Sequence, residues 1–104
     1  MKFQLNKEYT DEREEEIKEL APSFFHLILH NDDFTPREFV IGLLEKFLFM
    51  DRSKATNVTM QAHMNGMAIC GTFAKDFAES KAAQLVDYAR ENEFPLMCTA
   101  EVAV

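Results

Sequence analysis

FFHLILHNDDFTPREFV, Phe24 to Val40, contains two hydrophobic periods separated by a polar interval, and its reading sets the fold. In FFHLILH, Phe25, Leu27 and Leu29 alternate with Phe24, His26 and Ile28, which is the two-residue period of a strand. Both alternating sets are mainly apolar, so the strand is expected at the centre of a sheet. Thr35-Pro36-Arg37-Glu38 has the form of a capping box with proline at the first helical position. Phe39, Val40, Leu43, Leu44 and Phe47 then repeat at helical spacing, which predicts a first helix over about Pro36 to Phe49. Between strand and helix stand three small polar acceptors, Asn31, Asp32 and Asp33. A helix entrance needs only one such residue, so Asn31 and Asp32 read as surplus to local structure and available to bind something. Asp33 reads equally well as a turn former.

Working outward, Asp51 or Ser53 is placed to cap a second helix whose buried stripe is Ala55, Val58, Thr59 and Ala62. Asn65-Gly66 provides a left-handed stop, so this helix ends near Met64. MAICGTF, Met67 to Phe73, predicts a second strand, with Gly71 marking a bulge or a close approach. A third helix is expected over about Asp76 to Asn92, with Phe77, Ala78, Lys81, Ala82, Leu85, Tyr88 and Ala89 along one side. The stem of Lys81 lies along that stripe while its ammonium reaches solvent. After Pro95, LMCTAEV predicts a third strand. The order β-α-α-β-α-β implies an α+β fold: a three-stranded antiparallel sheet packed against three helices.

Upstream, TDEREEEIKEL from Thr10 to Leu20 is mostly charge, with only Ile17 and Leu20 as possible anchors. Residues 1–22 therefore read as a flexible acidic tail, and 23–104 as one domain. The 104 residues, 47% of them hydrophobic, suffice for a single modest core. With 11 basic against 18 acidic residues the net charge is -7, which disfavours nucleic acid and anionic membrane surfaces as partners and favours a basic or cationic one. No apolar run approaches the ~18 residues of a membrane span, and a cytoplasmic location is expected. Cys70 and Cys98 lie in apolar surroundings, too far apart in sequence for a CxxC motif, and read as buried reduced thiols.

Catalysis finds no support: there is no GxSxG, no glycine-rich phosphate loop and no HExxH. A metal site drawn from His30, Asp32, Asp33 and His63 would lack the spacing of a calcium loop. Neither enzyme activity, cofactor nor metal is therefore expected. His63 by itself reads as a structural or exposed histidine.

NDDFTPREFV at 31 to 40, AH at 62 and 63 with NG at 65 and 66, AICG at 68 to 71 and YARENEFPLMCT at 88 to 99 together closely resemble the ClpS family. Members are adaptors that deliver N-degron substrates to the ClpA unfoldase. The resemblance covers about Phe25 to Thr99, with the fragments in the family's order and at its spacings. It implies the ClpS-like sandwich and a pocket for the first residue of a substrate chain. Asn31, Asp32 and His63 are implied to bind the α-ammonium, with Asp33 and Thr35 supporting the loop and the substrate backbone. The roles make chemical sense, since an ammonium has donors only and these side chains supply acceptors. The implied hydrophobic pocket is Arg37, Val40, Thr59, Ala62 and Leu96. The family usually has Met at the positions of Arg37 and Thr59 and Val at that of Ala62, so this pocket has a charged gate and less apolar filling.

The resemblance further implies docking on the ClpA N-terminal domain through Asp76 and Lys81, engagement of the segment 1–22 by the unfoldase, and a monomeric adaptor. Bulky hydrophobic N-terminal residues are the expected ligands, aromatic ones ahead of Leu. The alternative is an interaction domain of the same fold whose pocket has diverged to another ligand.

Overall fold

The computed structural model describes residues 23–103; the acidic segment 1–22 and Val104 lie outside the described residues. The expected element order is found: β1 (Phe24–His30), α1 (Arg37–Leu48), α2 (Arg52–Asn65), β2 (Met67–Ala74), α3 (Lys75–Glu91) and β3 (Met97–Val102). The sheet is antiparallel in the order β2-β1-β3, so the apolar β1 is the central strand. Successive side chains of a strand face opposite ways. Leu27 and Leu29 therefore enter the main core, while Ile28 on the other face is flanked in register by Ile69 and Thr99.

Gly71 fulfils both readings made of it. Leu27 pairs with Gly71 but Ile28 with Ile69, which leaves Cys70 as the extra residue of a bulge. The ring of Phe73 also lies over Gly71, where a Cβ would come within 2.5 Å of Phe73 Cζ. Cys70 and Cys98 are free and buried, and loss of solvation pushes each thiol up to about 12.

The helices cover one face of the sheet. α1 buries Val40, Ile41, Leu43 and Leu44, and α2 buries Ala55, Val58, Thr59 and Ala62, the stripe read from sequence. Of the two candidate caps for α2, Asp51 is the one used: its carboxylate accepts the Lys54 N–H at 2.7 Å. Gly66 closes the helix at φ 88° and donates its N–H to the Ala62 carbonyl at 2.8 Å. On α3 the buried positions are Ala78, Ala82, Leu85 and Ala89. Phe77 departs from its expected place in the stripe: it is 47% exposed, its ring set against Phe73 at 4.9 Å between centroids. The Lys81 stem is half-buried as expected, with its ammonium donating to Gln84 Oε1 at 3.0 Å.

The capping box does not form. Pro36 takes the cap position with no side-chain cap hydrogen bond. The Thr35 hydroxyl instead donates to Asp32 Oδ2 at 2.8 Å, and the Glu38 carboxylate pairs with Arg52 at 2.7 Å. An aromatic group ties α1 to α3 and to the segment before β3. The Phe39 ring stacks on Tyr88 at 5.9 Å and meets Phe94 at 4.6 Å, and Phe47 meets Tyr88 edge-on at 5.0 Å. Such pairs add to simple area burial. Phe94 N–H also bonds the Ala89 carbonyl at 2.9 Å, which brings the chain back over the end of α3 and delivers Leu96 to the core, 1% exposed.

Candidate functional site

Where β1 ends, its last residues, the loop that follows, the start of α1 and the second half of α2 enclose a cavity of about 190 Å³. Its lining includes Asn31, Asp32, Asp33, Thr35, Arg37, Val40, Thr59, Ala62, His63 and Leu96, so all ten residues named for ligand binding come together at one place. Asp76 and Lys81, named for docking, are not among the lining residues and sit on α3 with Phe77 between them. Asp76 is exposed in the first turn of that helix.

The burial of the lining residues sorts them by chemistry. Leu29, Val40, Ala62 and Leu96 are buried and apolar, and the buried Thr59 turns its hydroxyl to the Ala55 carbonyl at 2.8 Å. Asn31, Asp33, Arg37 and His63 are exposed, and His30, Asp32 and Thr35 are half-buried. The cavity therefore has an apolar floor and a polar rim. Its size suits one side chain, since a cavity of about 150 Å³ accepts benzene.

The loop is organised by Asp32. Its Oδ1 accepts the N–H groups of Phe34 at 2.8 Å and Thr35 at 2.7 Å, and its Oδ2 accepts the Thr35 hydroxyl. The expectation that Asp32 is surplus to local structure is thus corrected: one carboxylate holds the turn that a capping box was expected to hold. Asp33, which read as the turn former, makes no side-chain hydrogen bond among the described residues. The surplus acceptors at the rim are Asn31, Asp33 and His63, none of which has a side-chain partner there. Asn31 is placed by its backbone, whose N–H donates to the Gly66 carbonyl at 2.9 Å. The stop of α2 and the end of β1 are thereby joined, with His63 one turn before the stop.

Sequence reasoning missed two lining residues, Leu29 and His30. Leu29 has the period of a core residue, and that period does not say that the core ends there in a cavity. His30 adjoins Asn31, which was the available signal. Its Nε2 lies 2.7 Å from Thr99 Oγ1, which ties this end of β1 to β3. Among the described residues no group of three or more His, Cys, Asp or Glu side chains is arranged to hold a metal ion.

A family model described as "ATP-dependent Clp protease adaptor protein ClpS" matches residues 21–99. A protein of Vibrio cholerae serotype O1 named "ATP-dependent Clp protease adapter protein ClpS" is 54% identical over 82 residues, covering 79% of this chain and 77% of that protein. A protein of the same name from Vibrio atlanticus is 48% identical over 87 residues, 84% of this chain and 82% of its own length. Among solved structures, Agrobacterium tumefaciens ClpS2 bound to L-phenylalaninamide is similar at a TM-score of 0.79 and 38% identity, covering 80% of this chain and all of that one.

Proposed function

The chain belongs to the ClpS family of ATP-dependent Clp protease adaptors, and from that premise we propose that its cavity receives the first residue of a substrate protein. The family is one of adaptors, so the chain is an adaptor and not an enzyme. The observation that carries the proposal is the division of the cavity into a buried apolar floor and an exposed rim of acceptors with no side-chain partner among the described residues. An N-terminal aromatic residue divides the same way, with a ring to bury beside an ammonium that has only donors. The ClpS2 structure, with its phenylalanine amide, supports this reading because that ligand is an aromatic side chain with a free amino group.

In this reading Asn31 and His63 accept hydrogen bonds from the ammonium, and Asp32 adds negative charge while holding the loop through Thr35. Asp33 faces the first peptide unit. Val40, Thr59, Ala62 and Leu96 receive the side chain, and Arg37 stands at the gate. Thr59 and Ala62 leave room at the wall, so Phe, Tyr and Trp fill the cavity better than Leu. The substrate is then handed to ClpA: Asp76 and Lys81 dock on its N-terminal domain, and residues 1–22 supply the segment that the unfoldase engages. The adaptor works in the cytoplasm as a monomer. No helix among the described residues is long and apolar enough to cross a membrane.

The deciding experiment is titration with a peptide bearing a free N-terminal Phe and with its acetylated twin. Loss of the charge-assisted bonds should cost at least ~2 kcal/mol, about thirtyfold in affinity. Equal binding of the two peptides, or binding of neither, would overturn the assignment.

A further inference from the structure

Arg37 lies on the cavity lining, is exposed, and forms no ion pair or side-chain hydrogen bond among the described residues. Of the acidic groups near it in sequence, Asp33 shares the rim without pairing to Arg37 among the described residues, and the others are committed elsewhere. Glu38 and Glu45, the acidic residues of α1, both pair with Arg52, at 2.7 and 3.4 Å. Asp32 spends both carboxylate oxygens on Phe34 and Thr35. Arg37 is also the first residue of α1, where the helix dipole disfavours a cation. Neither helix stability nor an ion pair among the described residues accounts for a guanidinium at this position.

We infer that Arg37 reads the second residue of the ligand and selects a carboxylate there, so that the preferred terminus is an aromatic residue followed by Asp or Glu. The inference rests on the function proposed above. The floor holds a single side chain, so the second residue of a bound chain lies at the rim, where Arg37 is exposed. The rim then offers two complementary features to one ligand: acceptors for the α-ammonium, and a planar fork of donors for a carboxylate. Because the pair forms in solvent, its effect is modest and salt-dependent. It acts as a preference superimposed on the first residue.

The test uses peptides that begin Phe-Glu, Phe-Gln and Phe-Lys and are otherwise identical, titrated against the full chain at low and high salt. Phe-Glu should bind about two- to fivefold more tightly than its isostere Phe-Gln, and Phe-Lys more weakly than both, with the spread narrowing at high salt. The Glu-over-Gln ratio should fall to one in Arg37→Met, and Arg37→Glu should invert the order in favour of Phe-Lys. Equal binding of Phe-Glu and Phe-Gln by the unaltered protein would overturn the inference, as would an unchanged ratio in Arg37→Met. If Phe-Gln bound no better than its acetylated form, the N-terminal pocket would fall as well, so the two failures are distinguishable.

Discussion

At the scale of single residues, the site depends on which side chains are already occupied. Asp32 carries three hydrogen bonds of the loop, whereas His63 is exposed with no partner among the described residues, so substitution at the two positions should have different consequences. Changing Asp32 disturbs the turn as well as the rim charge. His63→Ala removes one acceptor and leaves the fold intact. We expect it to weaken binding of an N-terminal Phe peptide about tenfold at constant thermal stability, checked by calorimetric titration alongside a melting curve. Thr59 tests the width of the pocket. The difference of one or two methylene-sized groups is worth roughly 1 to 3 kcal/mol, so N-terminal Leu should bind at least about tenfold more weakly than Phe. Thr59→Met fills the wall and should narrow that gap, a ratio measurable with peptides differing only in the first residue. An unchanged ratio would show that wall volume does not set the choice.

At the scale of elements, the rim is assembled by the way helices and strands stop. α2 ends at Gly66 in the left-handed region at φ 88°, and the carbonyl of that same residue receives the Asn31 N–H. Gly66→Ala keeps the polar groups but strains this conformation, at about 1 kcal/mol of stability. Because the strained unit also positions Asn31, binding of an N-terminal Phe peptide should weaken together with stability. A control outside the cavity lining, Gly71→Ala, displaces the Phe73 ring that covers it and should lower stability while leaving peptide affinity unchanged. Denaturant melts paired with titrations of both variants provide the comparison. The bulge at Cys70 illustrates the same dependence on local irregularity, since it resets the register so that β1 closes on Met67 opposite His30.

At the scale of the whole molecule, two properties follow from where groups lie relative to the core. Cys70 and Cys98 are held up to about 12 by burial, against an ordinary value of 9.0. Between these limits the unfolded chain releases thiol protons that the folded chain retains, so the folded state loses stability as pH rises through about 9 to 12. Each thiol withdraws up to about 1.4 kcal/mol per pH unit in that window. Replacing both by Ala should flatten the alkaline limb of stability against pH, and thiol reagents should label the parent chain only after unfolding. Delivery, in contrast, is expected to depend on the acidic segment 1–22. Removing residues 1–20 should leave peptide affinity intact and abolish degradation of a Phe-tagged substrate by ClpA and its peptidase. Unimpaired degradation would show that this segment plays no part in delivery.

The order of elements, the central place of FFHLILH, the apolar stripe of α2 and its glycine stop were all legible in the chain, because periods of two and 3.6 and the chemistry of caps are written in consecutive residues. The sequence also named ten residues that meet at one cavity, through motifs whose spacing resembles a known family. How the polar groups around them are shared depends on packing. Thr35 and Glu38 form a capping box on paper, but Glu38 finds Arg52, 14 residues away, and Thr35 finds Asp32. Leu29 and His30 belong to the cavity because β1 stops beside α2, and Phe77 leaves the core stripe because Phe73 reaches it from the bulged strand. Some of these partners are distant in the chain, as Arg52 is from Glu38, and others are three or four residues away, as Asp32 is from Thr35 and Phe73 from Phe77, but in each case several partners compete. Local pattern names the donors and acceptors, and the packed arrangement alone brings them within the short reach at which a hydrogen bond or a ring contact forms.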